Sequence, residues 1–158
     1  MKQFMKVGMG FGISSATITT LGLMIGLESS TSSRLAVIGG ILTIAVADAF
    51  SDALGVHIAK EAEGNFSSRE VWQATLATFL FKAIFASTFL IPVLLFSINY
   101  ALLVAIFWGI VILFLQSYRL AKDRHVKAWP IIIEHLSIAS LVMILTHYFG
   151  IYIASWFN

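Results

Sequence analysis

A chain of 158 residues that is 59% hydrophobic and only 11% charged is not a soluble domain, in which about a quarter of residues carry charge. Its mean hydropathy is +0.92. A formal net charge of +2 gives no basis for nucleic-acid binding, and the absence of cysteine rules out disulfides, thiolate ligands and redox motifs. At about 20 residues per transmembrane helix, the length suits five or six spans and little else. The expectation is one all-α integral membrane domain over residues 1–158.

The first uncharged stretch, after Lys6, is longer than a signal-peptide core and has no A-x-A site behind it, so it reads as a membrane helix over about 4–27. A polar turn follows over 28–34, then a second helix over 35–59. The segment 60–70 is the longest polar stretch. In it Ser67 or Ser68 can cap a third helix, with Glu70 in the first turn. That helix runs over 71–96, and Pro92 predicts a kink or an early end. A short connection leads to a fourth helix over 101–120, then a charged loop over 121–127. A fifth helix covers 129–156, with Pro130 in its first turn.

Five spans put the two ends on opposite sides. Lys2, Lys6, Lys60, Arg69, Arg119, Lys122, Arg124 and Lys127 then share one side, and Arg34 stands on the other. The positive-inside rule places the N-terminus in the cytoplasm and the C-terminus outside. Trp72 and Trp129 at the inner edge, with Trp156 at the outer edge, fit aromatic belts.

The second helix carries the chemistry. Asp48 and Asp52 are four residues apart within a stretch apolar enough for lipid. On a helix both face one way, about 6 Å apart along the axis. Ala45 and Gly55 share their stripe and Ser51 lies beside it. A carboxylate at bilayer depth costs at least about 2.5 kcal/mol, so two on one face need a partner, a proton or an ion. Lys82 stands at similar depth on the third helix, in a stripe with Thr75, Thr78 and Ala86. Glu134 is a further carboxylate at depth, on the fifth. Two readings stay open here. Either the carboxylates bind a divalent cation or relay protons, or Lys82 pairs with one of them, the other is protonated, and the cluster only fixes helix packing.

Other polar residues are assigned by position. His57 is half a turn off the aspartate face and belongs to the cytoplasmic interface. Glu61, Glu63 and Glu70 stand at the cytoplasmic mouth, where Glu61 and Glu63 can attract cations. His125 belongs to a loop and His147 to the outer interface. Ser14, Ser15, Thr17, Thr19 and Thr20 give the first helix an unusual hydroxyl density. Gly22 and Gly26 form a small-xxx-small motif suited to helix packing or a dimer face. No nucleophile–base pair or zinc-protease helix is present, so an enzyme is not expected.

The order of these features resembles the vacuolar iron transporter family, which includes the yeast calcium-and-manganese tolerance transporter. The stretch from Ser14 to Gly26, with Thr19-Thr20 and Gly22, resembles that family's first helix, N-D-G followed by two hydrophobic residues and T-T-x-A-L-x-x-G. Ala47-Asp48-Ala49-Phe50-Ser51 resembles the A-D-A-L-S of its second. Ala74 to Phe81, followed by Ile91-Pro92, resembles its third. The resemblance implies a homodimer that moves Fe²⁺, Mn²⁺ and related ions out of the cytoplasm in exchange for protons. Ser15 stands where the family has an Asp, Asp52 where it has a metal-binding Met, and Val56 where it has a Glu. The Glu-rich cytoplasmic domain of better-known members is absent between the second and third helices.

The expected protein is therefore a multi-pass transporter of divalent cations in the cell membrane, coupled to protons and dimeric, with no tightly bound cofactor. Its metal site would comprise Asp48, Asp52, Glu134 and Ser15, with Lys82, Ser51, Glu61 and Glu63 along the pathway. The alternatives are a proton-coupled carrier of another solute with Lys82 as counter-charge, and a non-transporting membrane subunit whose buried charges fix assembly.

Overall fold

The computed structural model describes residues 3–157; Lys2, counted above among the inner basic residues, lies outside them. The described residues contain no strand. Five helices are long and apolar enough to cross a membrane: α1 Gln3–Thr31, α2 Arg34–Glu63, α3 Ser68–Leu95, α4 Ile98–Asp123 and α5 Ala128–Phe157. The all-α, five-span architecture is the one the sequence predicts, and nearly every helix end lies further out than hydropathy places it.

Local hydrogen bonding explains the extensions. Ser30 and Thr31 donate back to the Leu27 carbonyl at 3.3 and 2.6 Å, which carries α1 through most of the expected turn. Ser33 then caps α2, its Oγ accepting the Ala36 N–H at 3.2 Å. At the far end Gly64, with φ +66°, supplies the left-handed stop that glycine adopts without strain. The Ser67 N–H donates to the Glu70 carboxylate at 3.0 Å, one arm of a capping box that starts α3. Most of the polar segment 60–70 is thus helix end and helix start.

Two irregularities lie inside the spans. As Pro92 predicts, α3 is interrupted, at Phe89, between Ser68–Thr88 and Leu90–Leu95. Pro92 has no N–H to give the Thr88 carbonyl, and its ring crowds that turn. The second irregularity was not foreseen: residues Ile44–Asp48 of α2 form a π-helical turn, with the Ala49 N–H reaching the Ile44 carbonyl. A π-turn adds a residue to one turn of the ladder and is frequently found at functional sites. This one ends at Asp48.

α1 is the central element and packs against all four other helices. Glycine makes its contact with α3 possible. A Cβ on Gly12 would stand 2.7 Å from the Thr78 carbonyl oxygen, so the two backbones touch there. Further along α1, Gly22 and Gly26 lie against Thr146 of α5, and a Cβ on Gly150 would fall 2.6 Å from the Gly26 carbonyl. The small-xxx-small motif is therefore used for packing within the chain. Lys6 and Asp123, 2.7 Å apart, join the start of α1 to the end of α4. The outward faces carry exposed Phe50, Leu54, Leu80 and Phe107, which suits a lipid surround.

Candidate functional site

Lys82 is the largest fully buried side chain among the described residues, with no exposed surface. It stands about 21 Å along α3 from Ser68, close to mid-height. The glycine-mediated contact of α1 with α3 brings α1 close to its backbone, since a Cβ on Gly12 would lie 3.1 Å from the Lys82 nitrogen. The lysine Nζ reaches Oδ2 of Asp48 at 2.6 Å and also bonds Oδ2 of Asp52. It donates to Ser15 Oγ on α1 at 2.9 Å. Ser15 in turn donates to Asp52 Oδ2 at 2.5 Å. An ammonium has three protons, and here three acceptors from two other helices take them.

Charge is less well balanced than hydrogen bonding. With both carboxylates ionised, two negative charges face one positive charge, and the cluster carries a net −1. The Asp52 side chain is 21% exposed and that of Asp48 37% exposed, beside a lysine at 0%. An uncompensated charge at this depth is costly. With that protonation the lysine leaves one negative charge unmatched, and Asp48 is the more open of the two carboxylates.

Of the metal-site residues expected from sequence, the structure brings Asp48, Asp52 and Ser15 together, with Lys82 from the pathway set at their centre. Glu134 is not brought to them. It lies only about 9 Å along α5 from Ala128 and on an exposed face of a helix that packs against α1 and α4, so it shares neither the height of Lys82 nor its direction in the bundle. Ser51 is exposed on the outer side of α2. Of the mouth residues, Glu63 pairs with Lys60 at 2.6 Å and Glu61 stands 3.3 Å from His57 Nε2. Among the described residues, no three His, Asp or Glu side chains gather as a ligand group.

The remaining hydroxyls of α1 mostly bond their own helix, Thr17 to the Ile13 carbonyl at 2.8 Å and Thr19 to the Ser15 carbonyl at 2.7 Å. His135 bonds buried Ser117 of α4 at 2.8 Å, and His147 bonds Ser29 at 2.6 Å near the end of α1. His57, assigned by sequence to the interface alone, also makes a 3.0 Å contact with Thr75 on α3. Its partner was hidden because it lies on another helix. The signal was present in Thr75, one turn below Thr78 and two below Lys82.

No protein-family model, curated protein or solved structure matches this chain. The fold and the site define the class by themselves: a five-helix membrane protein with a buried lysine bonded to two partly exposed aspartates and a serine at mid-height.

Proposed function

We propose that the protein is a membrane carrier that exchanges a divalent cation of the Fe²⁺ or Mn²⁺ type for protons, with Lys82 and the cation competing for Asp48 and Asp52. The observation that carries this reading is the fully buried Lys82 ammonium bridging both carboxylates beside a partly open Asp48. In the resting state the lysine fills the site. A divalent cation arriving at the carboxylates repels the ammonium, which gives up a proton. The cluster then passes from net −1 to neutral, and one proton leaves for each ion bound. The order of features shared with the vacuolar iron transporter family supports the choice of cargo, and oxygen ligands suit hard and borderline divalent ions.

The same reading places the N-terminus in the cytoplasm of a cell-membrane protein, from the basic residues gathered at one end. It also makes the protein a homodimer. Gly39, Thr43, Ala47, Ser51, Gly55 and Ala59 recur every four residues along exposed positions of α2, and a Cβ at Gly39 or Gly55 would meet nothing within 4 Å. Such a face lets a second helix approach closely, and a second copy would cover Asp48.

Metal binding to the detergent-purified protein tests the proposal. Calorimetric titration with Fe²⁺, Mn²⁺, Co²⁺ and Zn²⁺ should show saturable binding that Asp52→Asn abolishes while leaving the protein folded. Unchanged binding in that variant would remove the cation from α2. The complete satisfaction of Lys82 favours one rival, a subunit whose charges only fix assembly. In that case wild type binds no metal, and pairing Lys82→Met with Asp48→Asn restores abundance without any flux.

A further inference from the structure

Two connections close the bundle at the end where α1 begins, and they differ in charge. The α2–α3 connection balances its own. Over residues 60–70 two bases stand among three acids, Lys60 pairs with Glu63 at 2.6 Å, and Glu70 accepts from Ser67 at the start of α3. The α4–α5 connection is not balanced. Arg119, Lys122, Arg124 and Lys127 all lie exposed there. Asp123, the one acid among them, is held by Lys6 of α1 at 2.7 Å. Among the described residues, no carboxylate forms an ion pair with any of the four bases. We propose that this connection binds an anionic phospholipid of the adjoining leaflet, its phosphate held by the basic side chains and its upper acyl chain laid against Tyr118 and Trp129. The site is separate from the Asp–Lys cluster and stands whatever the chain carries.

The turn that bears the charge is ordered by its own backbone. The Arg124 N–H donates to the Leu120 carbonyl at 3.0 Å, the His125 N–H to the Lys122 carbonyl at 3.2 Å, and the Val126 N–H to the Ala121 carbonyl at 3.0 Å. His125 is left-handed, with φ +53°, just past the end of α4, a common way for a helix to stop. The basic side chains therefore hang from a fixed frame.

The surface beside that frame continues into the membrane. Phe114, Tyr118 and Lys122 recur every four residues along α4, so they stay within about 80° of one another over about 12 Å of rise. All three are exposed. Read outward from the membrane they present an apolar ring, a ring with a hydroxyl, and an ammonium, which is the order of acyl chain, ester and phosphate in a phospholipid. Trp129 of α5 meets the Phe114 ring edge-on, 6.4 Å between centroids, and is itself 67% exposed, as suits an indole at the headgroup level. Glu134, the one acid of α5, is five residues further on and about 140° around the helix from Trp129, so it does not oppose an anion there. A free phosphate would use the bases alone and leave the rings unused. A lipid uses both, and arginine's planar fork matches phosphate oxygens.

The four tryptophans allow a local test. A protein keeping Trp129 alone (Trp72→Phe, Trp108→Phe, Trp156→Phe) is placed in phosphatidylcholine vesicles, and its fluorescence is quenched with brominated phosphatidylglycerol or brominated phosphatidylcholine. One basic side chain near a membrane surface is worth about fivefold in attraction for anionic lipid, so four should give phosphatidylglycerol a preference of at least about tenfold at low salt. The preference should collapse at about 1 M salt, where charges are screened beyond about 3 Å. Arg119→Gln, Lys122→Gln, Arg124→Gln and Lys127→Gln together should abolish it with helical circular dichroism unchanged. Lys122→Gln alone should lower it about fivefold, and this variant decides the matter if the fourfold one does not fold. A protein keeping Trp72 alone, which is 61% exposed beside the balanced α2–α3 connection, should show no preference. Equal quenching by the two lipids at Trp129, an unchanged preference in Lys122→Gln, or the same preference at Trp72 as at Trp129 overturns the proposal. So does displacement of the lipid by inorganic phosphate at constant ionic strength, which would make the site one for a free anion.

Discussion

Replacing Lys82 by Met keeps most of the stem's volume and removes the one positive charge of the cluster. Asp48 and Asp52 would then face each other across the space where both now hold the same Nζ. Removing one partner of a buried ion pair costs about 3–5 kcal/mol. The lower end applies here, because the aspartate side chains are 37% and 21% exposed and one of them can take up a proton. A loss of about 3 kcal/mol in a chain of this size lowers the melting temperature by roughly 6–12 °C. The assay is thermal unfolding in detergent followed by tryptophan fluorescence. Mn²⁺ at a hundred times its dissociation constant should return about 2.7 kcal/mol to the variant, since the ion now fills the place of the ammonium without competing with it. Metal binding should tighten and transport should no longer move protons. A melting temperature equal to that of wild type, unaffected by Mn²⁺, would refute the view that the lysine and a cation occupy one site.

The other predictions concern placement. Glu134→Gln should leave Mn²⁺ affinity unchanged in calorimetry, because Glu134 faces away from the cluster. Of single cysteines introduced at Ser33 and at Asn65 into this cysteine-free chain, Ser33→Cys should label with an impermeant maleimide in intact cells and Asn65→Cys only after permeabilisation. Ala47→Leu together with Gly55→Leu should fill the small-residue face of α2 and convert a dimer to a monomer in light scattering; a dimer that persists would move the interface elsewhere.

The elements were legible because each signal is local. Long apolar runs, Ser67 with Glu70, and Pro92 at its interruption each act within a turn or two. Irregularities made by packing were not legible. The π-turn over Ile44–Asp48 contains no Pro or Gly to mark a break in the helix. The extension of α1 to Thr31 depended on hydroxyls bonding backward to Leu27, a choice that Ser and Thr also decline in many contexts.

The site shows the same division. Sequence alone determined that Asp48, Asp52 and Lys82 lie at similar depth, because depth follows from residue count at a fixed rise per residue. It determined also that Asp48 and Asp52 share a face, by the helical period. Only the tertiary structure decided direction around the bundle. Glycines in α1 bring its backbone onto α3, which sets Ser15 between Lys82 and Asp52, while Glu134 turns outward on α5. Depth is a property of one helix, whereas convergence belongs to the azimuth of several, and azimuth is set by which small residues let which helices touch.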